Sequence, residues 1–206
     1  MVALVTGSTS GIGLSIAQTL AEKNYLVGVN SFESEQDTSD IMALFGEPDD
    51  RPAAYFQADL SKGEGGRLVK DVIARFGRID ILVNNAGVQK VAPVEDFPLA
   101  DWDRVRAIAL DGAFHTIRAA IPDMMERNWG RIINIASAHA LVASPYKSAY
   151  VASKHGLLGL TKTVALEVAQ KGITVNAICP GYVLTPLVEK QLADQAKAHG
   201  ISKEQV

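Results

Sequence analysis

The run V-A-L-V-T-G-S-T-S-G-I-G, Val2 to Gly13, constrains the fold more than any other part of the chain. Val2–Val5 is short, apolar and rich in valine, as in a strand buried on both faces. Gly7, Gly11 and Gly13 follow closely, and from Ile12 to Lys23 the residues Ile12, Ile16, Ala17 and Leu20 recur at helical spacing. This is a strand, a tight turn and a helix. Gly7 permits unusual backbone angles in the turn. Gly11 leaves room for a pyrophosphate to approach the backbone, and Gly13 lets the helix pack close to the sheet. The free N–H groups and partial positive charge of the helix N-terminus suit phosphate groups. An ordinary strand–turn–helix glycine cluster is the competing reading. The spacing is Gly-x-x-x-Gly-x-Gly, not the commoner Gly-x-Gly-x-x-Gly.

The rest of the chain repeats the alternation. Strands are expected at Leu26–Val29, Ala54–Ala58, Ile79–Asn84, Arg131–Ala136 and Thr174–Ile178. Helices are expected around Asp40–Phe45, over Glu64–Phe76, in a long stretch from Leu99 to Arg127, over Lys147–Lys171 and in a tail over Leu187–His199. Pro122 either kinks the long helix or starts a new turn. Strands that alternate with helices predict an α/β fold: a doubly wound parallel sheet with helices on both faces, in three layers. At 206 residues, one domain spanning 1–206 is expected.

Composition narrows the function classes. Apolar residues make up 48% and charged residues 21% of the chain, and the net charge is -3, with no basic stripe for nucleic acid. No apolar run is long enough for a bilayer, and the N-terminus lacks a basic, cleavable leader. The single cysteine, Cys179, excludes an internal disulfide, and no Cys-His metal spacing is present. These features imply a cytoplasmic protein without membrane, metal or nucleic-acid partners.

A dinucleotide with a 2'-phosphate needs a cation near the end of the second strand or in the glycine turn. Asn30, Ser31, Phe32 and Glu33 supply none, and Glu33 repels a phosphate. NAD is therefore the expected cofactor. Asp59 either accepts a hydrogen bond from the adenine amino group or caps a turn.

The stretch S-A-Y-V-A-S-K places Tyr150 and Lys154 four residues apart, on one helix face. A free phenol has a pKa of about 10, and moving it three units requires ~4 kcal/mol of differential stabilisation. A nearby ammonium and an oxidised nicotinamide both favour the phenolate, so Lys154 is expected to lower the Tyr150 pKa toward the working range. Ser137 ends a strand at the carboxyl edge of the sheet, where such folds bind ligands. Its hydroxyl can hold a substrate oxygen beside the phenol. A solvated Tyr–Lys pair with a turn serine is the alternative.

T-G-S-T-S-G-I-G, D-L at Asp59–Leu60, N-N-A-G at Asn84–Gly87, Ser137, Y-V-A-S-K and P-G at Pro180–Gly181 together resemble the short-chain dehydrogenase/reductases over almost the whole chain. The resemblance implies a Rossmann-like fold, with Tyr150 as general acid/base, Ser137 orienting the substrate and Lys154 binding the nicotinamide ribose. It implies cofactor contacts at Gly7, Thr9, Ser10, Gly11, Ile12 and Gly13 in the turn, and at Phe32, Asp59 and Leu60. It implies others at Asn85, Ala86, Gly87, Tyr150, Lys154, Pro180, Gly181, Val183 and Thr185. A-D-L-S-K-G-E, N-N-A-G-V-Q, R-I-I-N-I-A-S-A-H and L-T-P-L-V-E-K-Q bring the likeness nearer to the bacterial NAD-linked D-3-hydroxybutyrate dehydrogenases. Those enzymes interconvert D-3-hydroxybutyrate and acetoacetate. The substrate contacts so implied are Gln89, Ser137, His139, Lys147, Tyr150, Tyr182 and Gln191, a cation and neutral donors suited to a small carboxylate. Residues 182–206 are expected to form a substrate lid. A homo-oligomer, commonly a tetramer in the family, is also implied.

The sequence departs from this pattern in three places. Ala109 stands where the family usually has an asparagine that holds a water linked to the lysine. Asp111 either organises that relay or proton exchange slows. Tyr182 replaces a usual tryptophan. Family members also continue past the position of Val206 with a helix and a last strand, so this chain is expected to lack that strand. Two other functions stay open: an NADP-linked 3-oxoacyl thioester reductase, and a non-catalytic dinucleotide-binding protein.

Overall fold

Six buried or half-buried apolar runs form one parallel sheet in the computed structural model. The structure describes residues 1–185, 188, 189, 192, 195, 196, 200–202 and 205. The strands are β1 (Val2–Val5), β2 (Leu26–Ser31), β3 (Ala53–Gln57), β4 (Ile81–Asn84), β5 (Gly130–Ile135) and β6 (Ile173–Ile178). Their spatial order is β3-β2-β1-β4-β5-β6, and every pairing is parallel. Parallel neighbours need a crossover, which the helices supply. These are α1 (Gly11–Glu22), α2 (Ser39–Ala43), α3 (Gly65–Phe76), α4 (Leu99–Arg106), α5 (Gly112–Glu126) and α6 (Ser148–Glu167). The strand order reverses between β1 and β4, so a crevice opens at the carboxyl ends of those two strands.

Each face of the sheet has its own core. On one, Leu4, Leu82 and Ile132 pack against Leu68 and Val72 of α3, Ile117 and Met124 of α5 and Val164 of α6. On the other, Ala3, Val5, Val27 and Val29 pack against Ala17 of α1 and Met42 of α2. The expected three-layer α/β arrangement is present. No described helix is long and apolar enough to cross a membrane.

The expected long helix from Leu99 to Arg127 is interrupted. A π-helical turn at Ala107–Asp111 separates α4 from α5. Pro122 lies inside α5 without ending it. The expected tail over 187–199 falls largely outside the described residues.

A buried polar chain sets the helices over the sheet. The Asn84 amide donates to Asn134 Oδ1 (2.9 Å), and Asn84 Oδ1 accepts from Thr116 Oγ1 of α5 (2.6 Å). Asn134 in turn donates to Thr161 Oγ1 of α6 (2.8 Å). Each bond removes a polar group that is costly to leave unpaired in a core.

The amino edge of the sheet is tied by Asp80, whose side chain is wholly buried. One oxygen accepts from the Val2 N–H (2.8 Å), and the other takes Arg78 and Arg127 (2.7 Å). Arg127 also pairs with Asp123 and the Ile79 carbonyl. Burial raises the Asp80 carboxyl, but the Arg78 and Val2 hydrogen bonds and the two guanidinium charges outweigh it, and its pKa lies below the usual 3.8. The resulting stability is present above pH 3.8 and is lost as acid passes below that value. Asp80→Ala takes a partner from Arg78, Arg127 and the Val2 N–H at once and is expected to cost on the order of 3 kcal/mol. Urea unfolding at pH 7 measures this, and the deficit should shrink in acid; an unchanged midpoint at pH 7 contradicts it.

Candidate active site

The crevice at the carboxyl ends of β1 and β4 is a cavity of about 700 Å³. Its first wall is the glycine turn. Gly7 adopts φ 59°, and a Cβ there would lie 2.8 Å from Ala86 Cα, so a side chain has no room. A Cβ on Gly13 would fall 2.4 Å from both Asn85 Nδ2 and the Gly7 carbonyl. Gly13 thus lets α1 close onto the turn, outside the cavity lining. Thr6 Oγ1 accepts from the Asn85 and Ala86 N–H groups (3.0 and 3.1 Å), and the Asn85 amide donates back to the Thr6 and Gly7 carbonyls (3.0 Å each). These bonds join the turn after β1 to the turn after β4. Asn30 locks the same turn from β2: its Oδ1 accepts from the Gly7 N–H (3.3 Å), and its carbonyl accepts from the Ser8 N–H (2.9 Å). A buried asparagine in an otherwise apolar strand is the sequence signal for this clamp, and it is easily read past.

The cavity gathers most of the expected cofactor contacts. Gly7, Thr9, Ser10, Gly11 and Ile12 line one end, with Phe32, Asp59 and Leu60 beside them. Asn85, Ala86 and Gly87 form the floor, and Pro180, Gly181, Val183 and Thr185 the far side. Thr185 covers Gly11, where a Cβ would sit 3.4 Å from the threonine methyl. Asp59 caps the short 3-10 helix Leu60–Lys62, accepting from the Ser61 N–H (2.9 Å) and Ser61 Oγ (2.6 Å). The Ser61 hydroxyl and amide, with Lys62, hold its carboxyl below the usual range despite burial. It therefore caps a turn while lining the cavity. Asn30, Ser31, Glu33, Val88, Arg104 and Ile108 line it as well. Arg104 comes from α4, a position that strand and turn patterns do not single out. A glycine turn closed to side chains, a helix N-terminus and a cavity of this size fit a dinucleotide.

Ser137, Tyr150 and Lys154 meet at the inner end. Ser137 follows β5, and its Oγ caps the 3-10 helix Ala138–Ala140 by accepting from the His139 N–H (3.2 Å). The Tyr150 phenol stands near enough for the same hydroxyl to favour its ionised form. Lys154 is only 3% exposed, and its Nζ donates to the Ile135 carbonyl at 2.6 Å. Burial depresses its pKa from 10.5 to about 8. The expected lowering of the Tyr150 pKa is absent. Burial is the larger effect and raises it; the nearby Ser137 hydroxyl lowers it less, and the Tyr182 phenol adds to the rise. The Lys154 ammonium stands over the Tyr150 ring, 5.6 Å from its centre, while its hydrogen bond goes to the Ile135 carbonyl.

The expected substrate contacts form a second group next to this one. The His139 ring stands edge-on to Tyr150, centroids 6.1 Å apart. Burial, then the charge of Lys147, then His155, lower the His139 pKa, so a neutral imidazole is favoured. Lys147, one residue before α6, is 2% exposed. Its Nζ donates to the Tyr182 phenol (3.1 Å) and lies 5.3 Å from that ring's centre. Among the described residues no carboxylate pairs with Lys147. The Gln89 Nε2 is buried and lacks a hydrogen-bond partner among the described residues. Gln191 and His199 lie outside the described residues. His115 stacks edge-on against Phe114 (5.5 Å), and Cys179 is half-buried. Ala109 is buried, and Asp111 turns to Arg106 (2.7 Å), away from a relay role.

Residues 1–196 match the short chain dehydrogenase family. The chain is 57% identical over 205 residues to the D-beta-hydroxybutyrate dehydrogenase of Rhizobium meliloti (strain 1021), covering 99% of this chain and 80% of that protein. It is 53% identical over 204 residues to the D-beta-hydroxybutyrate dehydrogenase of Cupriavidus necator, covering 98% and 78%. Among solved structures, levodione reductase superposes with a TM-score of 0.87 at 34% identity, over 95% of this chain and 77% of that one. These relatives imply a nicotinamide dinucleotide cofactor. The chain is an oxidoreductase that belongs to the short-chain dehydrogenase family.

Proposed function

We propose that the protein interconverts D-3-hydroxybutyrate and acetoacetate with NAD. The observation that carries this reading is Lys147: a cation 2% exposed, with a phenol but no carboxylate as partner among the described residues, one turn before Tyr150. A desolvated ammonium without a counter-ion is costly, and a substrate carboxylate is the natural charge to meet it. The unpartnered Gln89 amide and the neutral His139 supply further polar contacts. The name of these relatives agrees with a hydroxy acid of this size.

The roles follow. Bound NAD supplies the hydride acceptor and a ring charge that favours the phenolate. Ser137 donates to the substrate oxygen at C3. Tyr150 takes the proton from that hydroxyl as the C3 hydride departs, leaving a ketone; in reverse it returns the proton. Lys154 keeps a positive charge near the phenol and binds the nicotinamide ribose. Lys147 fixes the carboxylate, so only one face of C3 meets the cofactor. NAD rather than NADP is favoured because Glu33 lines the cavity where the second strand ends and, among the described residues, no cation pairs with it. A soluble homo-oligomer in the cytoplasm completes the reading; much of the expected lid over 182–206 lies outside the described residues.

Steady-state oxidation of D-3-hydroxybutyrate with NAD is expected. Tyr150→Phe should lower kcat by about 10²–10⁴ while NAD affinity holds. No turnover by wild type that still binds NAD rejects the substrate. Turnover of 3-oxoacyl thioesters with a preference for NADPH selects the alternative reading.

Lys147→Met should raise KM for the acid by about 10² or more, with NAD affinity unchanged. An uncharged 3-hydroxy ester should discriminate far less between the two proteins; equal losses for acid and ester contradict the carboxylate role.

The depressed Lys154 pKa has a pH signature. The unfolded chain holds this proton up to about pH 10.5 and the folded chain only to about 8, so folding is penalised below pH 8 and relieved between the two values. Wild type should therefore gain on Lys154→Met in denaturant midpoint as pH rises through that window. A flat difference shows the lysine is not desolvated.

A further inference from the structure

Three hydroxyl side chains converge on Glu33, just past the end of β2. The Glu33 Oε2 accepts from Ser31 Oγ (3.0 Å) and, across the cavity mouth, from Thr9 Oγ1 of the glycine turn (3.4 Å). The Glu33 N–H donates back to Ser31 Oγ (3.2 Å). Among the described residues no cation pairs with this carboxylate. The third hydroxyl comes from β3. Tyr55 sits opposite Val29 in the sheet register, outside the cavity lining. Its phenol donates to the Glu33 carbonyl at 2.5 Å and lies 2.8 Å from Ser31 Oγ. Each hydroxyl has one proton. When Ser31 gives its proton to the carboxylate and Tyr55 gives its proton to the Glu33 carbonyl, the 2.8 Å Ser31–Tyr55 approach has no proton of its own and is a contact, not a third hydrogen bond.

We propose that Tyr55 is a positioning residue that sets the choice between NAD and NADP by holding Glu33 at the cavity mouth. This rests on the NAD reading above. A 2'-hydroxyl can donate to a fixed carboxylate, whereas a 2'-phosphate brings like charge against it. Glu33 is exposed, and a free glutamate in that setting keeps several rotamers, most of them pointing to solvent. Discrimination then depends on what holds the side chain as much as on its charge. Ser31 orients the carboxylate, and Tyr55 pins the backbone that carries it. Burial, followed by the charges of Glu33 and Asp37, raises the Tyr55 pKa, which keeps the phenol a donor.

The experiment is direct titration of the protein with NAD and with NADP by calorimetry, for wild type, Tyr55→Phe, Glu33→Gln and the double variant. Wild type should bind NAD more tightly. Tyr55→Phe should shrink the NADP-to-NAD ratio of Kd values about 5-fold, mainly through weaker NAD binding. Glu33→Gln should shrink it further, and adding Tyr55→Phe to that variant should leave the ratio unchanged. Ser31→Ala should move the ratio in the same direction and guards against a folding defect in the tyrosine variant. The proposal fails if Tyr55→Phe keeps the wild-type ratio, weakens both dinucleotides equally, or still changes the ratio without the carboxylate. A wild type that prefers NADP overturns the NAD reading itself.

Discussion

The ammonium of Lys154, buried and bonded to the Ile135 carbonyl, is the constraint around which the site is arranged. It ties the first turns of α6 to the end of β5, and so puts Tyr150 beside Ser137. The cost is a desolvated cation whose pKa has fallen to about 8. The polar chain Thr116–Asn84–Asn134–Thr161 offsets part of that cost by docking α5 and α6 at one height on the sheet. A helix held this way cannot slide to relieve its lysine.

The two ends of the sheet deal with polar groups in opposite ways. At the amino edge, Asp80 is saturated: two guanidinium groups and a backbone N–H use its oxygens. Of that cluster's side-chain atoms, only the Arg127 Nε is buried without a partner among the described residues. At the carboxyl edge Gln89 Nε2 has no partner, and Lys147 has only a phenol among the described residues. Glu33 carries a charge with no described counter-ion. Buried or fixed polar groups left short of partners destabilise a protein unless something binds them. That contrast, and not the fold, separates the stabilising edge from the chemical one.

Much of the fold was legible along the chain because burial on both faces of a parallel strand leaves an apolar run. Val2–Val5 matches its strand residue for residue, and β2, β3, β5 and β6 differ by one or two residues at an end. Ile79–Asn84 is two residues longer than β4, although the Asp80 backbone already bonds Val2 on one side and Arg131 on the other. The break at Ala107–Asp111 left no trace in the apolar pattern, because a π turn shifts the register by only one residue. Pro122 looked like the stronger breaker but sits within α5.

Local spacing determined which groups could meet: Tyr150 and Lys154 one helical turn apart, three glycines around a helix start, and Ser137 at a strand end. Those relations follow from backbone periods alone, which act over a few residues. Only the tertiary structure decided what the groups experience. Spacing pointed to a lowered phenol pKa, yet desolvation of the phenol raised it, while the lysine of α6 bonded the Ile135 carbonyl of β5. The burial of Lys147 and the reach of Tyr55 to Glu33 were likewise decided by elements far apart in the chain. Desolvation and partner choice depend on everything packed around an atom, and no short stretch of sequence carries that information.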